Sequence, residues 1–453
     1  MNAIRLPVPV RSINSLCLTI PSWARARRSR PAPARLSGRH QRVPRAARVA
    51  PVAAFILMLA GCSAPFRAAA PPPQSPSSYL TGALEWLQSH EVRGTVNWVE
   101  IRRQMLSQAA HARTIADTYP ALEAAIQRTG DRNAWLSRAQ PTGTDSGYSA
   151  LYPDGLVVQL EPGGAASRAG VRLGDRVVLV DGKPPMELAQ TAWMEDGPGA
   201  RQRLELHRAG STIAVSFTGV ANSTWVSAPL GRRIGTGTSA LGYLDLVSNA
   251  GYQSYAMQAQ QILRRIDQQA ACGWIVDLRH TQAGDLWTYL AAVGPILGQG
   301  ILGGFVYRDG KREPWAYSNG DVLWSGRTRY EGNLGGKPYA LKRPLPPVAL
   351  LVGPDTIAAG ENVVVAFAGR AQTRTFGQPT FGVPVYQPWT SLSDGSSITA
   401  SGAYSYDRTG RLYEGPIAPD TAVATDWSRF ATDGDPAVRT AENWLHSQPA
   451  CSR

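Results

Sequence analysis

Apolar positions recur along the chain with two different periods, and the changes of period divide it. From Tyr79 to Leu136 the spacing is helical: Leu80, Ala83, Leu84 and Leu87 share one face, and Ala121, Leu122, Ala125 and Ile126 share another. From about Tyr148 the pattern shortens to β-rich runs (Leu156 to Val158, Arg176 to Val180, Arg203 to Leu206, Ile213 to Phe217) separated by Gly and Asp turns. From about Pro229 strand and helix patterns alternate. Leu241 to Leu246, Trp274 to Arg279 and Val348 to Val352 read as buried strands. Between the first two, Tyr252, Tyr255, Ala256, Ala259, Ile262, Leu263 and Ile266 keep the spacing of an amphipathic helix, and a further helix is expected from Ala358 to Phe367. Such alternation predicts a layered α/β domain.

The first 62 residues follow neither period. Arg42, Arg45 and Arg48 precede an apolar run from Val49 to Leu59, which ends in Leu59-Ala60-Gly61-Cys62. A basic segment, a short apolar stretch and small residues before a cysteine make a secretory signal closing in a lipobox. The run is shorter than the roughly 20 residues a spanning helix needs. Acylation of Cys62 would anchor the chain to a membrane surface without spanning it. The expected location is the periplasmic face of the cell envelope, with Ser63 compatible with the outer membrane. The Ala-, Pro- and Ser-rich residues 63–78 read as a flexible tether.

Composition sharpens this division. The 453 residues allow two or three domains. The formal net charge of +13 suggests nucleic acid until it is mapped: eleven of the 46 basic residues lie in the leader, which holds no acid, leaving 35 against 33. The body is nearly neutral and carries no basic stripe with interleaved aromatics, so nucleic-acid binding is not expected. No Cys/His cluster has metal-ligand spacing, and neither a metal nor another cofactor is expected. Cys272 and Cys451 could pair in an oxidising compartment or remain two unrelated thiols; spacing leaves both open.

Within the β-rich stretch, Pro162-Gly163-Gly164-Ala165-Ala166-Ser167-Arg168-Ala169-Gly170 leads into Leu173-Gly174-Asp175-Arg176. This string resembles the PDZ domains associated with bacterial proteases. The resemblance implies a mainly-β module over residues 145–222 that takes an extended peptide as an added strand. Its peptide-binding loop is expected at Asp154, Gly155, Leu156 and Val157.

Further strings resemble the catalytic domain of tail-specific, or carboxyl-terminal processing, serine peptidases, particularly their tricorn-like branch. Gly273 to Arg279 followed by His280-Thr281-Gln282-Ala283-Gly284 corresponds to the family's D-L-R-x-N-x-G-G, whose glycines donate to the oxyanion. Here Thr281 replaces the asparagine and Ala283 the first glycine; Ala283 and Gly284 are the expected oxyanion-hole positions. Thr356-Ile357-Ala358-Ala359-Gly360-Glu361 resembles T-A-S-S-G-E, which puts Ala358 at the nucleophilic serine. Gly377 to Gly382 precedes Val383, which stands where lysine-dyad members carry the base. Gly130-Asp131-Arg132-Asn133 places Asn133 at the histidine base of the tricorn-like branch. Leu392-Ser393-Asp394-Gly395 through Asp420 matches the family's closing motif and keeps Glu414 as a candidate orienting carboxylate.

The implied architecture is a crotonase/Clp-like layered α/β peptidase domain over residues 226–440, after a helical region at 79–140 and the PDZ-like module. A methyl group supplies no nucleophile and an amide no base, so hydrolysis by the family's route is not expected. Thr356 is the alternative nucleophile and His280 a displaced base; a capping threonine and a structural histidine are the plainer readings. Asp277 and Arg279 are expected to be architectural. The expected partners are peptides or unfolded protein segments, with the membrane contacted through the lipid anchor.

Overall fold

The computed structural model describes residues 74–138, 144–145, 148–150, 155–161, 163–185, 201–221, 228–248, 253–282, 284–332 and 339–452. The leader, Cys62 and the tether up to residue 73 lie outside these, as do Asp154 and Ala283.

Three helices open the described chain: α1 (Pro76–His90), α2 (Trp98–Gln108) and α3 (Tyr119–Thr129). Ser75 caps α1 by accepting from the Ser78 N–H at 3.2 Å, and Gly130, at φ 67°, ends α3 in the left-handed conformation glycine tolerates. Their apolar faces form one core that also takes in Ile398 and Ala400 from the far end of the sequence. Polar contacts fix the same join. Asp131 accepts from the Ser401 N–H and Oγ at 2.7 and 2.8 Å, and Asp394 accepts from the hydroxyls of Tyr79 and Tyr119.

A small β module follows: β1 (Tyr148–Ala150), β2 (Val157–Leu160), the single helical turn Ala165–Arg168, and an antiparallel sheet of β3 (Arg176–Val180), β4 (Arg201–Arg208) and β5 (Ser211–Thr218). It has its own core, built on Val157, Ala166, Val177, Leu204 and Leu206.

The remainder is layered α/β. Strands β6 (Leu230–Ile234), β7 (Leu241–Asp245), β8 (Trp274–Asp277), β9 (Val348–Val352) and β10 (Thr373–Gly377) lie side by side in that order, extended at the far edge by Thr421–Ala422. From β7 onward the pairings are parallel, and β6 is an antiparallel edge. The central strands are buried on both faces, which is why they read as unbroken apolar runs. Trp274, Val276, Val348 and Leu350 face one layer; Ile275, Ala349 and Leu351 face the other, against the helix Pro436–His446. On the first face lie the helices Gln253–Asp267, Leu286–Leu297 and Ala359–Phe367, and beyond them an antiparallel sheet contributes Phe305, Trp315 and Val322. Cys272 and Cys451 form a disulfide, 5.1 Å between Cα atoms, that ties the C-terminus to the turn before β8. Among the described residues no helix is long and apolar enough to cross a membrane.

Candidate functional site

The helix Ala359–Phe367 starts at Ala358, directly after the turn leaving β9. Ala358 sits at φ 48°, ψ −101° and is buried. For a residue with a Cβ this backbone costs on the order of 1–3 kcal/mol, and it is characteristic of sharp turns that present a side chain for chemistry. Three neighbouring contacts hold it. The Ile357 N–H donates to the Thr281 carbonyl at 3.0 Å. Gly360 approaches that same carbonyl so closely that a Cβ would lie 2.1 Å from its oxygen, so only glycine fits there. Glu361 then clasps the turn from within the helix.

That clasp was visible in the sequence only as a motif letter. The Glu361 carboxylate accepts from the N–H groups of Ala358 (3.0 Å), Gly382 (2.7 Å) and Val383 (2.8 Å) and from Thr380 Oγ1 (2.5 Å). Burial pushes its carboxyl up to about 7 against the pull of these donors. The result brings the segment 380–383 against Ala358. Ala358, Val383 and Val385 form one apolar cluster, flanked by Ile357, Phe381 and Tyr404. The expected nucleophile position and the lysine-base position therefore do meet in space, and both are apolar.

Beside them opens a cavity of about 400 Å³, lined by Gly284, Ala358, Ala359 and Asn362 on one side and by the aromatic rings of Trp287, Phe305, Tyr386 and Trp389 on the other. Among the described residues Asp285 is its one formally charged lining residue, and its Oδ2 is held by the N–H and hydroxyl of Thr288 at 2.8 and 2.6 Å. Asn362 is locked between the Val385 carbonyl (2.9 Å) and Ser405 Oγ (2.6 Å). Among the described residues there is no cluster of His, Cys, Asp and Glu that could hold a metal ion.

The other sequence candidates fall at varying removes. Gly284 lines the cavity. Asn133 is buried and does not line it; its Oδ1 accepts from Gln387 Nε2 at 3.3 Å, and Gln387 does line it. Thr356 is fully buried, its hydroxyl donating to the Leu278 carbonyl at 2.8 Å and accepting from the Gly353 N–H at 3.0 Å. As an alternative nucleophile it has neither access nor a free proton. Glu414 is exposed and outside the cavity, so it orients nothing there. His280 stacks on Phe430, 4.1 Å between ring centroids, and burial drives its imidazole down to about 4, which fits a structural residue and not a base. Arg279 is bonded to Asp277 at 2.6 Å and to Asp435 at 2.8 Å, all three buried, as an architectural knot requires.

In the β module, the Val157 N–H donates to the Asp175 carbonyl at 2.7 Å and its own carbonyl accepts from Gly174; the Gly155 carbonyl accepts from Val177. Leu156 bridges Arg176. The Gly155 carbonyl and both backbone groups of Val157 are thus paired inside the module, with Gly174, Asp175 and Val177.

Residues 240–423 match the profile of peptidase family S41. The chain is 29% identical over 178 residues to the nisin-resistance protein of Lactococcus lactis subsp. lactis, a stretch covering 39% of this chain and 50% of that protein; it thus spans half the length of that relative. It is 24% identical over 363 residues to the carboxyl-terminal-processing protease of Synechocystis sp., covering 75% of this chain and 78% of the other. Among solved structures, the photosystem II D1 C-terminal processing protease superposes with a TM-score of 0.58 at 19% identity, over 84% of this chain and 99% of that one.

Proposed function

The chain belongs to the tail-specific S41 peptidase family, and from that premise we propose that it binds unstructured or C-terminal peptide segments in the cavity beside Ala358 without cleaving them. One observation carries this reading. The positions that face each other at the turn, 358 and 383, hold a methyl and an isopropyl group in mutual contact, so neither an oxygen nucleophile nor a base stands there. The peptide-sized cavity, its aromatic wall and the strained turn remain, and these serve binding as well as they serve hydrolysis. The name of the Synechocystis relative, a carboxyl-terminal-processing protease, supports polypeptide tails as the ligand class.

The same reading makes the chain an exported lipoprotein anchored through Cys62 on the periplasmic side of the envelope, presenting a PDZ-like module and a peptidase-like cleft. The lipobox sequence supports export, and so does the Cys272–Cys451 disulfide, a bond that persists in oxidising compartments. An active peptidase rebuilt on Thr356 draws no support from a hydroxyl bonded on both sides.

The test is an anisotropy titration of a labelled unstructured peptide with the purified chain, followed by mass spectrometry of the peptide. Saturable binding that weakens in Trp389→Ala, an exposed wall residue, with the peptide recovered intact, is the expected result. Fragments, or binding indifferent to Trp389, contradict it.

A further inference from the structure

The helix Ala359–Phe367 has the peptide cavity at its start and a second cavity at its end. This second space, of about 510 Å³, lies over the buried side chains of Leu350, Val364 and Phe367 and shares no lining residue with the first. Arg370, Arg374 and Arg411 line it, and Arg408 lies behind Arg370. Arg370 is only 6% exposed, yet its guanidinium meets neutral acceptors alone: Pro346 O at 2.9 Å, Ala371 O at 3.0 Å and Thr373 Oγ1 at 3.1 Å. Its Nε has no partner. Arg408 donates to the Ala366 carbonyl at 2.6 Å and likewise leaves a buried Nε unpaired. Among the described residues, none of the four arginines forms an ion pair with a carboxylate.

Capping the helix C-terminus explains part of this arrangement. The terminal dipole amounts to roughly half a negative charge, however, against the buried guanidinium of Arg370 and the half-buried one of Arg408. Two carboxylates also line the space, and both are engaged elsewhere. Asp407 accepts from the N–H and hydroxyl of Thr409 at 2.8 and 2.6 Å and from the Tyr413 hydroxyl at 2.8 Å; Asp420 accepts from the N–H and hydroxyl of Thr375 at 2.8 and 2.9 Å. Burial, and then the charge of Arg408, lower Arg370 to about 10, the direction expected of a cation whose counter-charge is missing.

We propose that this second cavity binds a phosphate-like oxyanion, free or carried on a larger molecule, with Arg370 at its floor and Arg411 at its wall over the Tyr413 ring. Guanidinium groups present paired donors that match the oxygens of such an anion, and a buried, uncompensated one gains most from it. This site is separate from the peptide cavity and does not depend on how that cavity is used.

Calorimetric titration of inorganic phosphate, and separately of glycerol 3-phosphate, into the purified full chain at fixed ionic strength tests the proposal. Saturable binding of at least one ligand is expected, weakened by about tenfold or more in Arg411→Gln, whose exposed side chain is not needed for folding. Tighter binding of glycerol 3-phosphate identifies a carried phosphate, and equal binding the free ion; both support the site. Arg370→Met, where it folds, abolishes the heat. No saturable heat with either ligand, heat reproduced by chloride at the same ionic strength, or affinity unchanged in Arg411→Gln overturns it.

Discussion

Two regions at the carboxyl ends of adjacent parallel strands, β8 and β9, differ in chemistry. After β8, Arg279 remains buried between Asp277 and Asp435, with the Tyr243 hydroxyl donating to Asp277 at 2.8 Å. After β9, at the turn into the helix Ala359–Phe367, Ala358 and Val383 form an apolar pair inside the backbone turn and the Glu361 clasp. Buried charge is costly to leave half-paired, so an ionic knot resists piecemeal change. A nucleophile contributes little to folding, so its loss leaves the scaffold standing. The difference teaches that this fold depends on its architectural polar groups and not on its catalytic ones.

Breaking the knot should have the largest effect. Arg279→Met leaves Asp277 and Asp435 buried without a cation, and the expected loss is about 3–5 kcal/mol of unfolding free energy, measured by chemical denaturation. A pH series sharpens the same side of the comparison. His280 is neutral in the fold, lowered from 6.5 to about 4 chiefly by burial, so the unfolded chain takes up its proton first. Its contribution is present above pH 6.5 and is lost as pH falls toward 4, on the order of 3 kcal/mol. In His280→Phe that slope disappears, so the stability difference between the native chain and this variant shrinks with acidification. At the turn the expected effect is smaller and opposite in sign. Ala358→Gly relieves the positive φ and should stabilise by about 1 kcal/mol, after the entropy cost of glycine is subtracted. Destabilisation by Ala358→Gly would mean that the methyl's place in the apolar cluster outweighs the strain.

Much of this division was legible before any coordinates. The parallel strands announced themselves as apolar runs because both their faces are covered, and the helix after β9 followed from its buried Val-rich stretch and the motif before it. The helix Leu286–Leu297 was not legible: ten of its twelve residues are buried, so it shows no amphipathic period. The antiparallel strands between Gly300 and Tyr330 pair side by side, in a stretch that none of the family-like strings covers. At the site, Ala358 and Gly284 were pointed to by the strings that carry them, whereas Trp287 and the stretch Tyr386, Gln387 and Trp389 reach the cavity from two separate segments without a shared pattern. Thr356 and Glu414 illustrate the converse: residue type and proximity in sequence pointed to chemistry, and burial or exposure removed them from it. Spacing had left Cys272 and Cys451 undecided; a connection across 179 residues is a property of the folded chain alone.

The central claim is that the cleft is kept and the hydrolysis is not. It is tested most directly by incubating the purified chain with an unfolded protein substrate and following fragments over time by mass spectrometry. The account predicts that the substrate stays intact at every time point. Fragmentation that persists in Thr356→Ala, and tracks the chain through purification, would contradict it.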